Sequence, residues 1–313
     1  MLLKRDNPGT DSSRALALKE DNMETRWLYT TSENFPALRE ASKEVCVIPM
    51  GCVEKHGLHL PLGTDIIRAS TITYEASKLE TFCVFPDFTF GDVPENYPTM
   101  PAGSITLPVD TEMLLLEQLC EQIARNGFKK IMIVNCHGGN GFWLKTFLRR
   151  MENKPHDYVL VLVGNHTAVP HQIAEDILEN GADRYPELKK EDVDLILKYH
   201  EQGMKLGHGC FNETAQVMAV APESVHLDRL GIEDGQDRKV AAKYKENGIT
   251  IRDGGWFANY PNAFTGDDPV GCNERIGKAA LRYSAERLAK IVKFYKEDED
   301  LIKWHNQLWK TNI

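Results

Sequence analysis

Residues 51–65, GCVEKHGLHLPLGTD, set two carboxylates, Glu54 and Asp65, and two imidazoles, His56 and His59, between glycines and a proline. Such a mixture of oxygen and nitrogen donors suits Zn, Mn or Fe(II) better than Mg or Ca. Glu54 and His56 are two apart, so in extended chain their side chains share a face. A plainer assignment stays open on this stretch alone: a solvated loop acid, satisfied loop histidines, and Asp65 serving only as a helix N-cap. Two further loops carry the same residue types. Residues 135–140, NCHGGN, offer His137 ahead of paired glycines that let backbone approach a metal or a small substrate. Residues 206–215, LGHGCFNETA, offer His208 and Glu213, although an acid in the first turn of a helix is stabilising in its own right.

Regular elements must deliver these loops. The run VCVIPM at 45–50, bounded by Gly51, reads as a buried strand, and 131–134 and 158–163 read the same way. A further strand is predicted over 82–88. Helices are predicted over 66–79, 111–126, 142–151 and 274–295, with a charged helical stretch over 170–202 that carries Pro186 in its middle. Strand, site loop, helix and strand in that order make βαβ units, hence an α/β fold with a mainly parallel sheet. Ligands of such sheets bind at the carboxyl ends of the strands, where 51–65 and 135–140 both lie. The Pro/Gly-rich loops 91–104 and 256–271 are expected to line a cleft with Asn96, Tyr97, Ser104, Trp256, Tyr260, Asn262 and Asp267, or else to serve as plain packing.

The chain has 313 residues, enough for one large domain with a substantial core, and nothing forces a split. The expected division is a polar arm at 1–24, a domain at 25–296 and a charged tail at 297–313. With 42% hydrophobic and 27% charged residues the composition is that of an ordinary soluble protein. No apolar run approaches the roughly 18 residues of a membrane helix. A net charge of −9 without a basic block argues against a nucleic-acid partner. Seven scattered cysteines with no Cys-x-x-Cys pair fit a reducing compartment, so a cytoplasmic location is expected. Neither G-x-x-x-x-G-K-[ST] nor G-x-G-x-x-G occurs, which sets a phosphate cradle at 135–140 below a metal site.

In this order and at these distances the three motifs resemble those of the creatininase (creatinine amidohydrolase-like) family, over residues 45–282. The resemblance implies a single-domain three-layer α/β/α sandwich, a homo-oligomer that is commonly hexameric, and a metal-dependent amidohydrolase acting on C–N bonds of cyclic or linear amides. It makes Glu54, Asp65 and His137 ligands of one ion, with Asp65 bridging to a second ion that His56 also holds. A carboxylate can span two ions roughly 3.5–4 Å apart. Creatininase proper takes its fifth ligand two positions beyond the histidine of the second motif, which here is Gly139, so Glu213 is the available replacement. It also carries an acid where this chain has Gly207. Both departures cut against creatinine as the substrate. They leave open a deformylase of a pyrimidine nucleotide precursor and a peptidase that trims a redox-cofactor precursor.

The expectation is therefore an enzyme with a divalent metal, two ions of Zn, Mn or Fe per subunit, that activates water against a small neutral or weakly charged amide or cyclic amidine. His208 is the candidate general acid/base, and Glu213 beside it is the other candidate catalytic residue. Gly138, Gly139, Asn140, Ser104, Trp256 and Asn262 are the candidate substrate contacts. Arg252 and Arg275 are the nearby cations, and without a Lys/Arg cluster a phosphate group would be poorly matched. A scaffold or ligand-binding protein that has lost its chemistry is disfavoured, because five such side chains without a cation form a poorly paired charge cluster. A cysteine nucleophile, Cys136 or Cys52, has less behind it, since Cys136 and His137 are sequence neighbours whose side chains point apart.

Overall fold

The computed structural model describes residues 23–93, 100–164, 169–251 and 255–310. The arm at 1–24 therefore lies almost wholly outside the described residues, as do Asn96, Tyr97 and Arg252. In chain order the elements are α1 (Phe35–Ala41), β1 (Val45–Met50), α2 (Thr64–Leu79), β2 (Cys83–Val84), α3 (Val109–Arg125), β3 (Lys130–Asn135), α4 (Asn140–Met151), β4 (Val159–Val163), α5 (Val169–Asn180), α6 (Lys190–Glu201), α7 (Phe211–Val220), α8 (Ala242–Glu246), α9 (Gly255–Asn259), α10 (Glu274–Glu297) and α11 (Asp300–Trp309). The strands form one sheet in the order β2-β1-β3-β4, with every pair parallel.

Residues alternate between the two faces of that sheet and give it two apolar layers. Cys46, Ile48, Met50, Ile131 and Ile133 pack against α3 and α4 through Leu116, Ile123, Trp143 and Phe147. Val45, Val47, Met132 and Val134 pack against α2 and α10 through Ala69, Ile72, Leu288 and Val292. The result is the expected α/β/α arrangement. Both central strands are buried on two faces, which is why they read as continuous apolar runs. A third cluster joins α5, α6, α7 and α10.

The strand expected over 82–88 shrinks to Cys83–Val84, with one isolated bridge to β1 beyond it, between Met50 and Phe88. Pro86 has no N–H to donate to a ladder. Pro49 is tolerated inside β1 for a related reason. Its carbonyl accepts from Phe88, so its nitrogen faces the β2 side, where the strand has already ended. The stretch 170–202 divides into α5 and α6 around Gly181 and Pro186, and the charged tail contains α11, whose Leu301 and Ile302 reach the core. Among the described residues no helix is long and apolar enough to cross a membrane.

From β1 the chain turns to β2 on one side and then returns to β3 on the other. The crevice between the carboxyl ends of β1 and β3 is thus a topological switch point, the usual ligand position in an open parallel sheet.

Candidate functional site

At that switch point Asp65 is the hub. It sits in the first turn of α2, whose N-cap is Gly63, so Asp65 is not the cap. Its Oδ2 lies 3.1 Å from His137 Nδ1 and 3.4 Å from Cys52 Sγ. Its Oδ1 lies 3.4 Å from His56 Nε2 and 3.6 Å from Arg68 Nη1. Glu54 Oε1 is 2.8 Å from His137 Nδ1, and Glu213 Oε2 is 3.7 Å from His56 Nε2. All five predicted ligands therefore meet, and none has a side chain more than 4% exposed. Gly51 permits this, because a Cβ there would come within 2.8 Å of Asp65, where β1 exits against α2.

The protonation pattern of the two imidazoles follows from their backbone partners. His137 Nε2 is 2.8 Å from the Asp92 carbonyl and His56 Nδ1 is 3.1 Å from the Glu54 carbonyl. Carbonyls only accept, so these nitrogens donate, and His137 Nδ1 and His56 Nε2 carry the lone pairs of the neutral rings. Those lone pairs face carboxylates that also only accept. A cation or a proton must lie between them. A proton can play that part: burial opposes charge on His56, yet Asp65, then Glu213 and Glu54, lift it to about 9. Burial likewise opposes charge on His137, and Glu54, Cys52 and Asp65 lift it well above the usual imidazole range. Asp65 is pushed up by burial but held well below the carboxylate range by His56 and His137. Glu54 Oε1 and His56 Nε2 are buried without a hydrogen-bond partner among the described residues. Cys52, Glu54, Asp65 and His137 form one group of donor atoms within 4.8 Å of one another, and His56, Asp65 and Glu213 form a second. The donor set fits divalent ions.

Gly139 cannot ligate, but it has a role. A Cβ there would meet the Asp92 carbonyl at 2.0 Å and His137 Nε2 at 2.5 Å, so the glycine admits the carbonyl that orients the ring. His59 Nε2 lies 3.0 Å from the Gly209 carbonyl and 3.1 Å from Thr214 Oγ1, tying the first loop to the third, and burial lowers it to about 4. It is a positioning residue. Glu213 Oε2 accepts from the Gly209 N–H at 2.7 Å just ahead of α7 and also faces His56.

The family model for creatininase, creatinine amidohydrolase, matches residues 29–292. The chain belongs to the creatininase family of hydrolases. It is 36% identical over 104 residues to the 2-amino-5-formylamino-6-ribosylaminopyrimidin-4(3H)-one 5'-monophosphate deformylase of Methanocaldococcus infernus, a match covering 33% of this chain and 45% of the relative. It thus spans less than half of that deformylase's length. To the creatinine amidohydrolase of Pseudomonas putida it is 20% identical over 214 residues, which is 64% of this chain and 73% of the relative. A solved creatinine amidohydrolase-type protein of Bacteroides fragilis superposes with a TM-score of 0.64 at 21% identity, covering 89% of this chain and 98% of that one. A creatininase variant in a Zn–Zn form and a creatininase with Mn superpose at 0.60 and 0.61, with 16% and 17% identity over 88% of this chain and 100% of theirs. At these identities the structural likeness speaks for the fold.

Around this creatininase-type centre the remaining expected residues separate. His208 stacks on His56 with ring centroids 3.9 Å apart and an interplanar angle of 26°. Its Nε2 is 2.6 Å from the Lys55 carbonyl, which leaves Nδ1 facing Glu54 Oε1 at 3.6 Å. At 16% its side chain is the most exposed of the six, so the centre opens on the His208 side. Trp256 stands edge-on to His208 at 5.7 Å, with Tyr260 beside it, and Gly138 is exposed. Ser104 is half-buried, and its Oγ accepts from the Lys55 N–H at 3.0 Å.

Asn140 departs from the expectation of a substrate contact. It is fully buried as the first residue of α4, where Oδ1 accepts from Asp92 N at 3.1 Å and Trp143 Nε1 at 3.0 Å. Asn262 likewise spends its amide on the Asp234 carbonyl, 3.0 Å away, and Asp267 accepts from the Lys205 N–H. Arg275 pairs with buried Asp192 at 2.6 Å and is structural. Cys136 packs into the sheet layer with Met132 and Val134, and burial raises its thiol to about 11, out of range for a nucleophile.

Three further side chains of the centre carry no motif of their own. Arg68 is 1% exposed, with Nη1 2.6 Å from Glu213 Oε1 and Nε 2.8 Å from Gln216 Oε1. The signal was helical spacing, since Arg68 is three residues after Asp65 and Gln216 three after Glu213. Glu112, in the first turn of α3, is fully buried, and neither oxygen has a well-formed hydrogen bond among the described residues. Burial and then the nearby Asp92 push it up to about 7 from an ordinary 4.5, and the Leu107 N–H and His137 offset this only in part. The folded chain therefore binds this proton more tightly than the unfolded chain. That contribution to stability is complete below pH 4.5 and is lost as pH rises through about 7. Glu112→Gln is expected to flatten the stability–pH curve in this window and to raise the melting temperature above it. A slope unchanged in denaturant melts across the window would show that Glu112 is solvated.

Proposed function

We propose that this creatininase-family chain is a divalent-metal-dependent amidohydrolase that cleaves a C–N bond of a small, neutral or weakly charged amide, cyclic amide or cyclic amidine. One observation carries the proposal: the lone-pair nitrogens of His56 and His137 converge with Glu54, Asp65 and Glu213 in a buried centre while their other ring nitrogens are pinned to carbonyls. Glu54, Asp65 and His137 would hold one ion and His56, Asp65 and Glu213 another, with Asp65 shared and Zn, Mn or Fe as the metal. A divalent cation bound there acidifies water toward a pKa of about 7 and polarises an amide carbonyl.

The chain's own residues do the rest. On the open side of the centre His208 has its Nε2–H held by the Lys55 carbonyl, so its Nδ1 lone pair would take a proton from the attacking water and pass it to the departing nitrogen. Trp256 and Tyr260 give the substrate an aromatic wall. Assembly into a homo-oligomer, hexameric as the resemblance implies, and a cytoplasmic location belong to the same proposal. Seven free cysteines support the latter.

Metal analysis of the purified chain followed by a panel of amides, read by release of ammonia, amine or formate, tests this. Turnover lost to a chelator and kept in iodoacetamide is the expected result. A metal-free chain whose turnover iodoacetamide abolishes would overturn it. His208→Gln is expected to lower kcat by roughly 10²–10⁴-fold with metal content unchanged. If metal is lost along with activity, His208 is a ligand rather than a proton carrier.

The 36% identical match favours a second reading, deformylation of a pyrimidine nucleotide precursor. Among the described cations named near the centre, Lys55 is paired with Glu233 at 2.8 Å and Arg275 with Asp192, which leaves a phosphate poorly matched. A preference in the panel for phosphorylated over unphosphorylated formamides would establish the deformylase.

A further inference from the structure

We propose that Cys52 is a fourth ligand of the ion held by Glu54, Asp65 and His137, so that this position carries one thiolate, two carboxylates and one imidazole; the proposal rests on the metal-hydrolase reading above. Cys52 and Glu54 are two apart on the chain leaving β1, so their side chains fall on one face as Glu54 and His56 do. Cys52 Sγ is 3.4 Å from Asp65 Oδ2, which is 3.1 Å from His137 Nδ1, which is 2.8 Å from Glu54 Oε1. A tetrahedral zinc site with roughly 2.0 Å bonds to N and O and 2.3 Å to S has edges of roughly 3.3 Å between N or O donors and roughly 3.5 Å to sulfur. The Cys52–Asp65 and Asp65–His137 separations lie within about 0.2 Å of those edges, the His137–Glu54 one is about 0.5 Å shorter, and all four donor atoms lie within 4.8 Å of one another. A second feature points to the same place: Glu54 Oε1, fully buried, has no hydrogen-bond partner among the described residues and faces this cluster.

On ligation the thiol proton passes to solvent and an Sγ–metal bond forms, with no change of oxidation state. The two positions then differ in kind. The one with Cys52 is filled by four protein donors and, being sulfur-bearing, favours zinc or ferrous iron over manganese. The other, with three protein donors, His56, Asp65 and Glu213, keeps room for water and substrate. Cys52 at 0% exposure is thereby a ligand and not a nucleophile.

Substitution with Co(II) tests this independently of activity. The wild-type chain is expected to show a near-ultraviolet sulfur-to-cobalt charge-transfer band beside the visible d–d bands, lost in Cys52→Ser and kept in Cys136→Ser. Zinc affinity in chelator competition is expected to fall in Cys52→Ser by at least the roughly 10–100-fold that an outer-shell partner is worth. If Cys52→Ser does not fold, X-ray absorption on the wild-type zinc form decides, through a sulfur scatterer at about 2.3 Å. Bound cobalt or zinc without sulfur ligation overturns the role of Cys52 and leaves the metal hydrolase standing. A chain that binds neither ion overturns both.

Discussion

Asp65→Ala yields a folded chain that holds neither ion at stoichiometric level and turns over no amide above the uncatalysed background. The expectation follows from how the two oxygens are divided, Oδ2 toward His137 and Oδ1 toward His56. Glu54 and His137 stand in one group of donors, and His56 and Glu213 in another. Asp65 serves both, so its removal leaves each short. Asp65→Asn keeps the shape and one oxygen donor, and is expected to retain part of the metal but little activity. Stability gives a second readout, because metal at about 1,000 times its Kd stabilises a fold by about 4 kcal/mol. Chelator should therefore lower the melting temperature of the wild type and leave that of Asp65→Ala where it was. Elemental analysis showing full metal in Asp65→Ala would mean that the carboxylate does not bridge.

The parts of this centre that the sequence disclosed are those encoded locally. β1 has its predicted bounds because a continuous apolar run ends at Gly51, and Glu54 and His56, two apart in sequence, both reach the centre. Asp65 and Glu213 stand out as acids at the start of helices that follow histidine-bearing loops. Arg68 does not stand out, because an arginine inside an amphipathic helix looks solvated. What buries it is Glu213, 145 residues further on. Glu112 is concealed in the same way, as an acid in the first turn of a helix, where charge is ordinarily favourable. Asn140 shows the opposite error. Beside two glycines it looked like loop, but α4 begins there, and its amide is turned inward to satisfy Asp92 and Trp143. Local pattern marks where a polar side chain starts, and long-range packing decides which way it points.

Arg68→Met is expected to destabilise the metal-free fold by about 3–5 kcal/mol, the cost of leaving one partner of a buried ion pair uncompensated. Arg68 keeps its charge in the interior because Glu213, 2.6 Å away, and Asp65, 3.6 Å away, outweigh the burial that opposes it. Methionine fills much of the same volume without charge, so the loss is electrostatic and not a cavity. Lysine would be a poor substitute, since the arginine reaches Glu213 and Gln216 with separate nitrogens. Two controls isolate the effect. Arg68→Met combined with Glu213→Gln removes both charges and should recover much of the stability, because a neutral pair has no unpaired ion to bury. Saturating zinc should also restore part of it in the single variant, since a divalent cation at His56, Asp65 and Glu213 takes over the neutralising role. Denaturant unfolding of the metal-free and metal-loaded forms measures both. A change below about 1 kcal/mol in the metal-free form is what an exposed pair would give, and it would mean that Arg68 and Glu213 are solvated.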